Sequence, residues 1–252
     1  MSQKTAIITG GSRGLGKDMA INLAKNGINV IFSYHSNIAK ANEVIIEIES
    51  LGQSAIAFPF DANDHKTGQH FIQKATDHLQ EKNGSPNFDF LINNAGTGTF
   101  NLVTDTNEDQ FNEMMNVHLK SVYFFTQEAL PFINEGGRII NVSSGLTRFS
   151  FPGMSAYAMM KGAVEVFTRY LAKELGDRKI TANVLAPGAI ATDFAGGSNR
   201  DFEDKRAIIA NITALGRVGE AEDIGGIVAF LCSDKAGWIN GQRIEASGGM
   251  LV

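Results

Sequence analysis

A glycine-rich turn between a short apolar strand and a helix constrains this chain most. The strand is predicted over Thr5 to Thr9, and the turn follows at once as Gly10-Gly11-Ser12-Arg13-Gly14-Leu15-Gly16. A helical pattern then continues through Asn26. Glycines permit a tight turn and close backbone approach, and the free N–H groups at a helix start attract a pyrophosphate. The order predicts either a dinucleotide site or a plain strand-to-helix connection.

Strands and helices alternate along the rest of the chain. Further strands are predicted over Asn29 to Phe32, Ala55 to Phe60, Phe88 to Ile92, Gly137 to Val142, Ile180 to Leu185 and Arg243 to Ala246. Helices are predicted over Asn37 to Leu51, Asp64 to Lys82, Glu108 to Ile133, Ala156 to Leu175 and Glu220 to Cys232. This alternation is typical of βαβ units. We therefore predict a single α/β domain over residues 1–252, a doubly wound, Rossmann-like parallel sheet of about seven strands with helices on both faces.

One segment lacks a periodic pattern. From Ala189 to Thr213 the sequence mixes glycines, phenylalanines and charges. We interpret residues 189–213 as a mobile excursion over the site, and a solvated insertion is the alternative.

Composition excludes several classes of protein. The chain has 252 residues, 43% of them hydrophobic, and a formal net charge of −5. A nucleic-acid binder would carry a basic surface, so we predict no nucleic-acid partner. Cys232 is the single cysteine and allows no intrachain disulfide. No signal-peptide pattern or membrane-length apolar run is present, so we predict a cytoplasmic protein with no membrane partner. We also predict no metal site.

A tyrosine and a lysine form the candidate chemical centre. Tyr157 and Lys161 are four residues apart, so in a helix they leave the same face. A phenol has a pKa of about 10, and an adjacent ammonium lowers it, which suits a general acid or base. Ser144 follows a predicted buried strand and would emerge at a strand end, where open α/β sheets place their sites. The pair alone is weak evidence, because such a spacing also arises by chance.

Taken together, these motifs resemble the short-chain dehydrogenase/reductase family over nearly the whole chain. The resemblance rests on Thr9-Gly10-x-x-x-Gly14-x-Gly16, Asp61, Asn93-Asn94-Ala95-Gly96, Asn116, Ser144, Tyr157-x-x-x-Lys161 and Pro187-Gly188-x-x-x-Thr192. It implies strand order 3-2-1-4-5-6-7 and a nicotinamide dinucleotide bound across the strand ends. It also implies reversible reduction of a ketone or aldehyde to an alcohol by hydride transfer.

The resemblance assigns four catalytic roles. Tyr157 would donate a proton to the carbonyl oxygen, and Lys161 would lower the pKa of that phenol and hold the ribose. Ser144 would hydrogen-bond the reacting oxygen, and Asn116 would hold a water that links Lys161 to solvent. Ser143 is the alternative to Ser144, since adjacent strand residues face opposite ways.

The resemblance also implies the dinucleotide contacts. They are Gly10, Ser12, Arg13, Gly14, Leu15, Gly16, Ser33, His35, Asp61, Ala62, Asn94, Ala95, Gly96, Tyr157, Lys161, Pro187, Gly188, Ile190 and Thr192. Asp61 would contact the adenine amino group, and its alternative role is a helix cap. Asn93 would make a structural hydrogen bond between strands. None of Ser33, Tyr34 and His35 is acidic, so no carboxylate at the end of the second strand would repel a 2′-phosphate. Arg13 could bind that phosphate. NADP(H) is therefore favoured as cofactor, and NAD(H) is the alternative. Arg13 could equally be a solvated residue at the helix start.

The resemblance implies a small carbonyl or alcohol as substrate. The family's pocket is expected at Leu146, Phe149, Phe151, Met154 and Phe194, which favours an apolar or aromatic ketone, although each could be core. A 3-oxoacyl group on acyl carrier protein is the alternative, weakened by the absence of a basic run before the fifth strand. A dinucleotide-binding protein without chemistry is less favoured, because all four catalytic residues are present.

Self-association is expected as well. The helix from Ala156 to Leu175 has apolar residues on two stripes, one with Ala163, Phe167 and Leu171 and another with Met159, Val166 and Tyr170. A surface helix on one sheet needs a single stripe. We expect a homotetramer that buries the second stripe; the alternative is that this stripe faces the 189–213 segment within one subunit.

Overall fold

A parallel sheet of seven strands forms the centre of the protein in the computed structural model, which describes residues 3–252. The sheet order is β3-β2-β1-β4-β5-β6-β7, as predicted. The strands are β1 Thr5–Ile8, β2 Asn29–Tyr34, β3 Ala55–Pro59, β4 Phe88–Asn93, β5 Ile133–Val142, β6 Thr181–Pro187 and β7 Arg243–Ala246. The predicted α/β class and Rossmann-like winding are confirmed.

Helices cover both faces of the sheet. They are α1 Gly14–Lys25, α2 Ile38–Ser50, α3 His65–Asn83, α4 Glu108–Met115, α5 Ser121–Ala129, α6 Ser155–Glu174, α7 Ser198–Asp201, α8 Glu203–Asn211 and α9 Glu222–Leu231. The core residues of α1, α2 and α9 pack with Ala6 and Ile8 of β1. Those of α3, α5 and α6 pack with Ile7. Alternate strand residues therefore point into two hydrophobic cores, one on each face of the sheet.

The predicted helix from Glu108 to Ile133 is wrong as one continuous element. A π turn over Asn116–Lys120 separates α4 from α5, and the Ser121 N–H donates to the Asn116 carbonyl five residues back. After Ala129 the chain tightens into a 3₁₀ turn that contains Pro131, which has no N–H to continue an α-helix. β5 then begins at Ile133, which pairs with Phe88 before a register shift.

The segment from Ala189 to Thr213 is not without structure. It holds the 3₁₀ turn Phe194–Gly197 and the short helices α7 and α8. Three successive residues, Ala195 to Gly197, have φ of +50°, +72° and +77°, which breaks any longer helix. The helices are too short to show an apolar period, and only Ile209 of α8 is buried. The expected mobility stays a prediction.

The predicted strand from Gly137 to Val142 begins four residues earlier in the structure, at Ile133, because the residues before Arg138 continue the extended chain past the register shift. The remaining predicted strands and helices begin and end within two residues of the observed ones. Among the helices of residues 3–252, none combines the length and apolar character needed to cross a membrane.

Candidate active site

A buried polar ladder joins the ends of β4 and β5 to the helices beside them. Asn93 Nδ2 donates to Asn141 Oδ1 and to Thr126 Oγ1, both at 2.8 Å. Asn141 Nδ2 donates in turn to Thr168 Oγ1 at 2.9 Å. All four residues are buried, so each polar group needs its partner. The ladder gives Asn93 the interstrand role predicted for it and fixes α5 and α6 against the strand ends.

The helix α6 brings Tyr157 and Lys161 to this edge of the sheet. Their exposed fractions are 8% and 3%. Lys161 Nζ donates to the carbonyl oxygen of Val142, the last residue of β5, at 2.7 Å. The same nitrogen lies 5.7 Å from the centre of the Tyr157 ring. Burial lowers the pKa of Lys161 to about 8, because the charged form loses its hydration.

The pKa of Tyr157 differs from the expectation. Burial raises it to about 12, and a hydrogen bond with Ser144 acts in the lowering direction. The resemblance implied that Lys161 would lower this pKa, but its ammonium is held by the Val142 carbonyl and burial dominates. The phenol is therefore held in its protonated, proton-donating form through neutral pH.

Two adjacent serines face different partners. Ser143 Oγ donates to Glu165 Oε1 at 2.7 Å, away from Tyr157. Ser144 caps the 3₁₀ turn Gly145–Thr147, where its Oγ accepts the Leu146 N–H at 3.2 Å, and it bonds with Tyr157. The arrangement puts Ser144, and not Ser143, beside the phenol.

Asn116 stands at the start of the π turn, half-buried, in the segment that packs beside α6. Its carbonyl accepts the Ser121 N–H. Such π turns are frequent at functional sites, because the extra residue redirects the helix surface.

His118, two residues further on, was missed by the sequence reasoning. It is fully buried, and its ring meets the Tyr157 ring edge-on, with centres 4.8 Å apart. A histidine two residues after Asn116, within the same predicted helix, was the signal available in the sequence.

The glycine turn is braced by neighbouring side chains. Gly10 has φ of +71°, and its N–H donates to Ser33 Oγ at 2.9 Å. Asn94 Nδ2 donates to the carbonyls of Thr9 and Gly10, both at 3.0 Å. A Cβ on Gly16 would collide with the Gly10 carbonyl. Ser33 and Asn94 were both expected to contact the dinucleotide. Their side chains instead hydrogen-bond the backbone of the turn.

The turn fits a dinucleotide pyrophosphate. Arg13 is the N-cap of α1 and makes no side-chain bond to its first turn, so helix N–H groups stay available to an anion. Gly14, at φ of +51°, faces Thr192, and a Cβ there would lie 3.4 Å from Thr192 Cβ. The positive φ is therefore the main reason for a glycine here, because a Cβ would make only an ordinary contact with Thr192. Ser12 lies in the same turn, half-buried.

A cleft of about 490 Å³ lies at the ends of β2 and β3. It is lined by His35, Pro59, Phe60, Asp61, Thr67, His70 and Lys74. Asp61 Oδ1 accepts the Asn63 N–H, whereas the N-cap of α3 is Asp64. The helix-cap alternative for Asp61 is therefore wrong. Its Oδ2 lies 3.9 Å from His35 Nε2, at the edge of the cleft.

Several predicted contacts can offer only backbone to a ligand. Leu15, Ala62, Ala95 and Ile190 have side chains that pack into the two cores. Pro187 is buried at the end of β6. A Cβ on Gly188 would lie 2.8 Å from Ser247 Cα, and one on Gly96 would lie 2.8 Å from His118 Cε1.

The predicted substrate residues divide into two groups. Leu146, Met154 and Phe194 pack with Tyr157, and the Phe194 ring centre lies 5.7 Å from that of Tyr157. Phe149 and Phe151 pack on each other and on a separate cluster with Ile209, Val218 and Met250. The structure therefore brings three of the five to the phenol.

Comparisons with known proteins agree with this geometry. Residues 10–251 match a family model described as enoyl-(acyl carrier protein) reductase. The solved structure of the promiscuous reductase LugOII, which catalyses keto-reduction at C1 in lugdunomycin biosynthesis, is 37% identical with a TM-score of 0.93; the match covers 99% of this chain and 98% of that one.

Two further proteins are similar over almost their full length. The landomycin C-6 ketoreductase LanV, solved with NADP and rabelomycin, is 35% identical with a TM-score of 0.89, covering 98% of this chain and 96% of that one. A hydroxynaphthalene reductase-like protein Arp2 of Metarhizium majus is 34% identical over 100% of this chain and 96% of its own length.

The buried Lys161 predicts an unusual stability profile. Below pH 8 the folded protein holds a charged amine that the unfolded chain would hydrate, at a cost of about 3 kcal/mol for a pKa moved from 10.5 to about 8. Stability should therefore rise as pH increases from 8 to 10.5. Lys161→Met removes this cost but also loses the bond to Val142, worth about 1–2 kcal/mol.

We expect Lys161→Met to be more stable than the natural protein by about 1–2 kcal/mol at pH 7 and less stable near pH 10.5. Urea unfolding at both pH values measures this. Lys173→Met, at an exposed position of the same helix, is the control and should show no reversal. A Lys161→Met protein that is destabilised equally at both pH values would contradict the prediction.

Proposed function

The chain belongs to the short-chain dehydrogenase/reductase family and is an NAD(P)-dependent carbonyl reductase, and from that premise we propose that it reduces a ketone on a fused-ring aromatic compound. The observation that carries the proposal is the apolar wall around a buried, protonated phenol, formed by Leu146, Met154 and Phe194. Flat aromatic ligands suit such walls. LugOII, LanV and the Arp2 protein, whose names refer to keto-reduction or hydroxynaphthalene reduction, support the same substrate class.

The acyl-carrier alternative has less support. An acidic carrier protein needs a basic docking surface. The first part of β5 instead carries Glu135, which is exposed and bonded to Arg178 at 2.8 Å. The chain as a whole has a net charge of −5.

We assign the chemistry to four residues. The nicotinamide, when bound, supplies the hydride. Tyr157 Oη donates the proton to the carbonyl oxygen, and Ser144 stabilises the resulting phenolate with its hydrogen bond. Lys161 places positive charge behind the phenolate, and Asn116, at the start of the π turn, holds a water that links Lys161 to solvent.

Replacing the phenol tests this assignment. Tyr157→Phe should lower kcat by about 10² to 10⁴-fold because the general acid is lost, while the dissociation constant for NADPH stays within about threefold. Tyr170→Phe, an exposed tyrosine on the same helix, is the control and should keep full activity. Near-normal turnover in Tyr157→Phe would refute the assignment.

The same chemistry sets the pH profile of alcohol oxidation. Oxidation needs the phenolate, so its rate should rise with pH towards the Tyr157 pKa of about 12. Ser144→Ala removes a bond that lowers this pKa and should move the rise to higher pH.

We propose NADP(H) as the preferred cofactor. LanV was solved with NADP. Arg13 Nη1 and Lys40 Nζ lie 3.7 and 3.6 Å from the Asp193 carboxylate, which brings the two cations close to each other. At the end of β2 neither Tyr34 nor His35 offers a carboxylate that would repel a 2′-phosphate.

Arg13→Ala tests the preference. It should lower kcat/KM with NADPH by about 10-fold or more and change kcat/KM with NADH by less than about threefold. Lys17→Ala is the control, since its ammonium is paired with Glu47 at 2.9 Å. An equal loss with both cofactors, or a natural preference for NADH, would count against the proposal.

We also propose a homotetramer. The second stripe of α6 is exposed at Met159, Val166 and Tyr170, beside Tyr123 of α5. The Tyr123 and Phe167 rings lie 4.8 Å apart and join the two helices into one apolar face. A second apolar region is the chain end, where Leu251 and Val252 are exposed. Two such faces would allow a closed tetramer.

Light scattering should give a mass about four times the 27.1 kDa of one chain. Val166→Glu should lower it by charging the apolar face of α6. Ile46→Glu, at an exposed apolar position on α2, is the control and should leave the mass unchanged. A mass of one chain at all concentrations would rule out the assembly.

We place the protein in the cytoplasm. Its one cysteine, Cys232, is free and buried, and burial raises the pKa of that thiol far above its usual value. A chain that uses no disulfide is compatible with a reducing compartment.

A further inference from the structure

We infer that His118 is a positioning residue in the path that returns a proton to Tyr157, with its Nδ1 accepting a hydrogen bond from a water on that path. The inference rests on the proposed function, because only a proton-donating Tyr157 needs such a path. Each reduction adds one hydride and one proton to the ketone. The proton leaves Tyr157 Oη and must be replaced from solvent before the next turnover.

The hydrogen bonds of the ring fix its tautomer. His118 Nε2 lies 2.7 Å from the carbonyl oxygen of Thr97. A carbonyl oxygen can only accept, so Nε2 carries the hydrogen. Burial, and secondarily the charge of Lys161, holds the pKa of His118 well below its usual value, so the ring is neutral at physiological pH. Nδ1 is then a bare acceptor.

Nδ1 has no hydrogen-bond partner among residues 3–252. The side chain is fully buried, and an unsatisfied buried acceptor costs about 1–3 kcal/mol. Buried polar atoms left without a protein partner are commonly satisfied by ordered water. A water is also what a proton path requires.

The position of the ring links solvent to the reacting groups. On one side it lies edge-on to Tyr157, at an interplanar angle of 84°, and near Lys161. On the other side its Cε1–Nδ1 edge lies beneath Gly96, an exposed residue of the loop after β4. A Cβ on Gly96 would stand 2.8 Å from Cε1 and 3.3 Å from Nδ1, so the backbone of Gly96 lies directly against that edge.

The surrounding groups leave few donors for Nδ1. The helix α6 contributes Tyr157 and Lys161, and the loop after β4 contributes backbone at Gly96 and Thr97. Lys161 Nζ already donates to Val142 at 2.7 Å. A water that donates to Nδ1 can also accept a hydrogen bond from Lys161 or Tyr157. Such a water would connect solvent to the phenol through hydrogen bonds.

Two substitutions separate the two ring nitrogens. The side-chain oxygen of Asn lies near the position of Nδ1, whereas the amide of Gln reaches the position of Nε2. His118→Asn therefore retains the acceptor and loses the bond to Thr97. His118→Gln retains the bond to Thr97 and loses the acceptor.

We expect His118→Gln to lower kcat by about 10-fold and to increase the solvent deuterium isotope effect on kcat, because proton return becomes slow. His118→Asn should keep kcat within about threefold of the natural enzyme. The dissociation constant for NADPH, measured by fluorescence titration, should stay within about threefold in both. A larger loss in Asn than in Gln, or equal losses, would overturn the inference, because the structural bond to Thr97 would then govern.

A measurement on the natural protein avoids any loss of folding. ¹⁵N NMR of histidine-labelled enzyme should show a neutral His118 protonated at Nε2, with Nδ1 in a hydrogen bond. A ring protonated at Nδ1, or a free Nδ1, would overturn the inference. Failure of the Tyr157→Phe test would instead refute the proposed function, so the two failures are distinguishable.

Discussion

One buried hydrogen bond, from Lys161 Nζ to the Val142 carbonyl, sets the register between α6 and the end of β5. Tyr157 stands one helical turn before Lys161, and Ser144 stands two residues after Val142, so this bond determines how the phenol meets the serine. It opposes the cost of burying an amine whose pKa falls to about 8. In the proposed mechanism this charge stands behind the phenolate that Tyr157 becomes when it gives up its proton.

A second set of polar contacts fixes the segment that contains Ser143 and Ser144. Glu165 Oε1 accepts from Ser143 Oγ and Thr147 Oγ1, both at 2.7 Å, and from Arg243 Nε at 2.9 Å. Arg243 Nη2 also donates to the Ser144 carbonyl at 3.3 Å. The segment after β5 is thus tied both to α6 and to β7. This explains why Ser143, adjacent to Ser144, faces a carboxylate rather than the phenol.

Local patterns in the sequence were sufficient for the sheet and for the Tyr157 and Lys161 pair, because strand, turn and helix periods are readable along the chain. They could not show the π turn at Asn116, since one extra residue leaves the apolar pattern helical. The partner of Lys161 is a backbone carbonyl, which no residue type reveals. Phe149 likewise packs away from the phenol because its direction depends on tertiary contacts.

The central claim is that hydride reaches a carbonyl carbon while Tyr157 supplies the proton. The direct measurement is the position of deuterium in the product after reduction of a fused-ring aromatic ketone that also contains a carbon–carbon double bond, with NADPH deuterated at C4. We predict deuterium on the new carbinol carbon, with the double bond intact. Deuterium on a carbon of the former double bond, as an enoyl reductase would place it, would contradict the account.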